Sequence, residues 1–243
     1  MSQAVRRAGR IVDAIAEEAR SVADLANEFG LHRSTMFREL KALEEIGYVR
    51  KRGDATYTLG MKLVSLGQQV LSQVSVREAA SEPARKMHAV TGNTVHVAAL
   101  IGDDVVYVDK VEDDSGVRMY SRVGAPVRLH CSGVGKAILA SLRGQSRKRL
   151  LSRVSLDKYT SKTITDQDEL EAELETIADQ GWAADDGEFE DFVNCVAVPI
   201  TSSAGVVGAL SVTAIRMVNT LEDLKEFLPL MKRVSGQISR TLG

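Results

Sequence analysis

Cysteine is scarce: Cys131 and Cys195 are the two in 243 residues. Two isolated thiols argue against a disulfide framework and suit a reducing cytoplasm, the expected compartment. Long apolar runs are missing as well. No stretch of 18 or more apolar residues occurs, so no transmembrane helix and no membrane partner is expected. The opening residues MSQAVRRAGRIVDAIAEEAR carry acids and lack a long apolar segment, so they do not read as a secretory signal. Internal repeats and low-complexity tracts are absent too. Nor is there a basic excess: 31 Lys+Arg face 33 Asp+Glu, a net charge of −2. Residues 1–62 hold 11 Lys+Arg against 9 Asp+Glu, and the remainder 20 against 24. That asymmetry is mild, so any nucleic-acid face has to be argued from local clustering. What remains is ordinary globular composition, 44% hydrophobic and 26% charged, with length for two modest domains.

The first sixty residues are the most informative. Ile11, Val12, Ile15 and Ala19 recur at helical spacing, so Val5 to Ala19 reads as a helix. Ser21 can cap the next helix, VADLANEFG, and Gly30 ends it cheaply in a left-handed turn. A third helix, HRSTMFRELKALEEIG, carries Met36, Leu40 and Leu43 at i, i+4 and i+7 as an inward stripe. Two helices joined by a short glycine turn predict a helix-turn-helix. On the outward face of the third helix stand Arg33, Ser34, Phe37, Arg38 and Lys41, with Thr35 beside them. Guanidinium groups can reach guanine edges in a major groove, while hydroxyls and lysine hold phosphates. YVRKRGDATYTLG follows, two strand-forming runs around a Gly53-Asp54 turn. It predicts a hairpin wing with Arg50, Lys51 and Arg52 at its tip, placed to lie along the DNA backbone or minor groove. Each part alone has a bland reading as a solvated surface. Together, within about 60 residues, they predict a winged module that binds double-stranded operator DNA.

MKLVSLGQQVLSQVS, with Leu63, Leu66, Val70 and Leu71 at helical spacing, predicts a linker helix over 61–75 that could also pair in a dimer. The expected domains are therefore 1–60, 61–75 and 76–243. In the last of these, Val76 to Val90 reads as a helix. VHVAALIG and VVYVDKVE read as a hairpin, and VRMYSRVG as a further strand. Helices are predicted over 133–142, 146–154, 166–179 and 221–242, with a short strand at WAADD. CVAVPITSS and VVGALSVTA form a second hairpin around Ala204-Gly205. Strand pairs and helices interleave without βαβ regularity, which predicts an α+β domain around an antiparallel sheet.

The stretch HCSGVGKAILA, residues 130–140, imitates a phosphate loop. A Walker A loop needs glycine five positions before Gly135, where His130 stands, and a hydroxyl after Lys136, where Ala137 stands. A nucleotide site is therefore rejected and no cofactor is expected. Lys136 is left either facing solvent or pairing with an acid. His130, Cys131, Cys195, Asp185 and His96 follow no zinc spacing, so no metal is expected. A hydrolase built on Cys131 or Cys195 with a histidine is disfavoured, because adjacent His130 and Cys131 would point to opposite faces of an extended segment.

The segments LHRSTMFRELKALEEIGYV, GAPVRLHCSGVGKAILA and CVAVPITSSAGVVGALSVTA together resemble the IclR family of bacterial transcription regulators, in the family's order and over essentially the whole chain. The resemblance implies an N-terminal winged helix-turn-helix and a C-terminal effector domain similar to a GAF domain. It implies no enzyme activity, assembly as a homodimer or homotetramer, and a small organic acid as effector. Some members repress and others activate. Carried over position by position, it places Gly124 and Ala125 on a pocket loop and Met119 and Leu129 on an apolar wall. Asp185, Cys195, Ser211 and Thr213 fall on lining positions, with Cys131 and Gly133 at the start of the adjoining helix. Two departures stand out. Gly187-Glu188 occupies places where relatives commonly have paired acids, and Phe192 stands where they commonly have glycine. The Phe192 ring would narrow the cavity or wall it.

Overall fold

The computed structural model describes residues 3–113 and 119–243. The chain divides into two compact units between Leu71 and Ser72.

In the first unit, helix α1 spans Gln3–Glu17, α2 Val22–Glu28 and α3 Arg33–Glu45. Ile11, Ile15, Leu25, Ala26, Met36, Leu40 and Leu43 turn inward and form one buried cluster with Val49 and Tyr57. The α2 start is a reciprocal cap. Ser21 Oγ accepts the Asp24 N–H, and the Asp24 carboxylate accepts the Ser21 N–H. Between α2 and α3 the chain turns at Gly30, whose φ of 64° lies in the left-handed region. The wing is β2 (Val49–Lys51) paired antiparallel with β3 (Thr56–Leu59). At its tip Asp54 accepts both the N–H and the hydroxyl of Thr56, and Ala55 takes a φ of 63°. A two-residue strand β1, Arg20–Ser21, adds to the other edge of β3. The expected linker helix is α4, Met61–Ser72, three residues shorter than the sequence reading.

The second unit opens with α5, Ser75–Thr91. Hairpins β4 (Thr94–Ile101)–β5 (Asp104–Val111) and β7 (Val193–Ser202)–β8 (Gly205–Ile215) are joined in one antiparallel sheet, with β6 (Ala183–Asp186) at its edge. The order is β5-β4-β8-β7-β6. Between β5 and β6 come α6 (Gly133–Ser141), α7 (Gly144–Leu151) and α8 (Gln167–Gln180). Helix α6 packs on the sheet face that carries Ala98, Ala183, Ala197 and Ala209, and α8 packs on α6. Small residues on that face bring a nine-residue helix close to the strands. The opposite face is covered by α5 and the C-terminal helix α10, Leu228–Leu242.

Two expectations are corrected here. The strand expected over VRMYSRVG does not form at 119–124, and Val117 and Arg118 lie outside the described residues. Instead the segment docks on the β5 edge, with Gly124 N–H on the Tyr107 carbonyl at 2.7 Å and Tyr107 N–H on Ala125 at 3.0 Å. The closing helix is also two: α9 (Leu221–Lys225), then α10 after a break at Glu226-Phe227. Pro229 lacks an N–H and its ring would meet the carbonyl four residues back, so a continuous helix is interrupted there.

Candidate functional site

The first site is the outer face of α3. Arg33, Ser34, Phe37, Arg38 and Lys41 are exposed and Thr35 is half-buried. Two of the three acids of this helix are engaged elsewhere. Glu39 receives the Arg7 guanidinium, and Glu44 accepts the Lys51 N–H at 3.1 Å. Among the described residues, Arg33, Arg38, Lys41 and Arg50 have no acid within 4.0 Å. Arg50, Lys51 and Arg52 are exposed on the wing, with Arg52 3.8 Å from Asp54. Exposed cations without counter-charges are available to an external polyanion.

The second site lies between α6 and the sheet. Strand register sets its floor: Asp185 is opposite Cys195, Cys195 opposite Thr213, and Ser211 lies between Ala197 and His96. Alternation along each strand turns all of these polar side chains toward α6. Ser132, Gly133 and Val134 at the start of α6 form the roof. Phe189, Glu190 and Val193 close one side, and Met119, Ser121 and Tyr107 the other. The space between them is about 40 Å³, room for about three waters.

Glycine in the GVG segment serves close packing more than nucleotide chemistry. A Cβ on Gly133 would sit 2.7 Å from Cys195 Sγ, and one on Gly135 would sit 2.7 Å from Leu129 Cα. These two contacts seat the α6 N-terminus against β7 and against the preceding turn. Ser132 caps the helix, accepting Gly135 N–H at 3.3 Å and donating to the Arg128 carbonyl at 2.6 Å. Lys136 does not face solvent. It is 1% exposed, with its ammonium 2.6 Å from Glu188 and 3.2 Å from Glu173 on α8. Burial opposes its charge, yet the two carboxylates outweigh burial and raise its pKa. Its partners lie far along the chain, so no local pattern marks them.

The segment after β6 is pinned over the cavity. Asp185 Oδ1 accepts the Glu188 N–H at 2.7 Å, while Thr163 and Thr160 donate to the carbonyls of Glu188 and Gly187 at 2.6 and 2.7 Å. Phe189 stands edge-on to Tyr120 and Tyr159, with centroids 5.6 and 5.0 Å away.

Electrostatics follow from burial. Burial, reinforced by Glu188, pushes the Asp185 carboxyl up to about 7. Burial, with help from Lys110, pulls His96 down to about 3, so its imidazole is neutral. That ring meets Ser121 Oγ at 2.7 Å and Thr213 Oγ1 at 3.2 Å. Burial pushes both Cys131 and Cys195 up to about 12, so neither offers a thiolate near neutral pH. His130 hydrogen-bonds the Asp157 carbonyl at 2.9 Å. Among the described residues no three His, Cys, Asp or Glu side chains gather to hold a metal, and no helix is long and apolar enough to cross a membrane.

Of the expected effector residues, Met119, Gly133, Asp185, Cys195, Ser211 and Thr213 line this cavity. Ala125 and Leu129 pack into the core beside α6, Gly124 sits in the turn on β5, and Cys131 is buried just before the helix. Phe192 is displaced from its expected place. It is 38% exposed, and Phe189 supplies the aromatic wall in its stead. Sequence reading also missed His96, Ser121, Ser132 and Tyr107 as lining. Alternation on β4 opposite Ser211 was the one signal that could have placed His96 there.

Residues 4–53 match the family profile described as the IclR helix-turn-helix domain, and residues 68–240 match the bacterial transcriptional regulator IclR C-terminal profile. The chain belongs to the IclR family. Its relatives are transcription regulators, not enzymes. The HTH-type transcriptional regulator KdgR of Escherichia coli K12 is 31% identical over 236 residues, covering 96% of this chain and 90% of that protein. The crystal structure of Thermotoga maritima IclR aligns with a TM-score of 0.80 at 34% identity, covering 98% of each chain. An IclR homolog from Microbacterium hydrocarbonoxydans, solved with 4-hydroxybenzoate, aligns at 0.81 and 22% identity over 99% of each chain, a likeness of fold.

Proposed function

We propose that this IclR-family chain binds a pseudo-palindromic operator as a dimer or dimer of dimers, and that a small organic acid in the α6–sheet cavity modulates that binding. The observation that carries the reading is the face of α3. Three exposed cations without acid partners stand beside a basic wing. In this reading Arg33 and Arg38 reach base edges. Ser34, Thr35 and Lys41 hold phosphates, as do Arg50, Lys51 and Arg52 on the wing. Residues 1–60 bind DNA, 61–75 link and pair the protomers, and 76–243 bind the effector, all in the cytoplasm. Two recognition helices must then reach half-sites one helical turn apart, about 34–36 Å, or a multiple of it.

The acid reading rests on the lining. Among the described residues no lysine or arginine lines the cavity. A carboxylate there is met by the α6 N-terminus, by the hydroxyls of Ser211 and Thr213, and below about pH 7 by the proton that burial holds on Asp185. The homolog bound to 4-hydroxybenzoate supports an organic acid as ligand class. About 40 Å³ is too little for such a molecule, so the site has to widen when one binds. An acid that favours one domain geometry shifts the population of DNA-competent dimers.

The test is Arg38→Ala in an anisotropy titration against an operator selected from random duplexes. Binding should weaken by ~1–3 kcal/mol, with relaxed preference at one position of each half-site. Unchanged affinity and preference would remove Arg38 from base readout.

A further inference from the structure

We propose that Phe37 reads thymine: its ring packs on the C5-methyl group of a thymine in each operator half-site and so sets sequence preference at that position. The inference rests on the reading of the N-terminal unit as an operator-binding module. The first observation is the isolation of this ring. The unit has four aromatics. Tyr57 is buried, Phe29 and Tyr48 pack against the core, and Phe29 also lies under the Arg10 guanidinium at 5.0 Å. Phe37 alone of the four is exposed, at 46%, and belongs to no apolar cluster of its unit.

The second observation is its place. Arg33, Phe37 and Lys41 follow one another at four-residue steps along α3, with Ser34 and Arg38 on the adjoining row. The phenyl thus stands at the centre of the face whose cations lack acid partners. With Lys41 drawn to a phosphate and Arg33 and Arg38 reaching base edges, the ring between them is brought over the floor of the groove. A phenyl has no donor or acceptor, so it gains nothing from phosphates or from the polar edges of guanine, cytosine or adenine. The thymine methyl is the one apolar group that the major groove displays. Contact removes both surfaces from water, which neither a cytosine nor a uracil at the same place would allow.

The experiment deletes only the methyl. Full-length protein selects duplexes from a random library, and each thymine of the enriched sequence is then replaced singly by deoxyuridine. Dissociation constants are read by fluorescence anisotropy. One thymine per half-site should weaken wild-type binding about fourfold when its methyl is lost, the equivalent of ~0.8 kcal/mol for one buried methylene-sized group. Phe37→Ala should bind the thymine and uracil duplexes alike, Phe37→Leu should keep part of the difference, and Arg38→Ala should keep all of it. Indifference of the wild type to uracil at every position overturns the proposal, as does Phe37→Ala discriminating as well as wild type. A change of oligomeric state in Phe37→Ala with thymine discrimination intact overturns it in favour of a protein contact. Enrichment of no sequence would overturn the operator reading itself, a result distinct from enrichment without methyl sensitivity.

Discussion

Asp185 and His96 occupy one cavity with opposite responses to burial. The carboxyl rises to about 7 and the imidazole falls to about 3. For Asp185 the folded state holds a proton that the unfolded chain releases near pH 4, so stability is lost as pH rises from there through about 7. For His96 the unfolded chain takes up a proton below about 6.5 that the folded state refuses, so stability is lost as pH falls. Between about pH 4 and 6.5 the two slopes oppose each other. Asp185→Asn removes one of them. Relative to wild type, the variant should gain stability as pH rises from 5 to 7, at a slope approaching ~1.4 kcal/mol per unit. Urea midpoints across that range provide the check, and parallel profiles for the two proteins would show that Asp185 ionises normally.

At the scale of elements, α6 organises the second unit because it can approach the sheet closely. A Cβ on Gly133 would meet Cys195 and Ala197, and one on Gly135 would meet the preceding turn. Gly133→Ala should cost ~1–3 kcal/mol through overpacking, and adding Cys195→Ala should recover part of that loss by removing the sulfur at 2.7 Å. A double-mutant cycle measures the recovery, and strictly additive losses would place the strain elsewhere. Elements with local signals are legible in the sequence. The Met36–Leu40–Leu43 stripe marks α3, and the Gly205 turn marks the β7–β8 hairpin. What escaped depends on distant partners. Strand β1 is two residues long and exists through Thr56 and Tyr57. Lys136 reads locally as either facing solvent or pairing with an acid; it pairs, but with acids 37 and 52 residues away that no local pattern names. VRMYSRVG reads locally as a strand, yet its described part, 119–124, docks on the β5 edge instead, because Gly124 and Ala125 exchange hydrogen bonds with Tyr107 there. The cavity was half legible for the same reason. Ser211, Thr213 and Cys195 alternate on strands, whereas Phe189 enters the wall by a loop whose course Thr160, Thr163 and Asp185 decide.

For the whole molecule, family membership and a cation-bearing α3 face converge on sequence-specific DNA binding. Net charge of −2 gives no bulk attraction, so the proposed binding by the α3 face and the wing should fall steeply with salt. The decisive measurement is an anisotropy titration of the full-length protein at about 150 mM salt. It compares a duplex enriched from a random library with a scrambled duplex of the same composition. Specific binding at least about 10³-fold tighter than to the scrambled duplex is the expected result. Equal dissociation constants for the two duplexes would contradict operator recognition by this face.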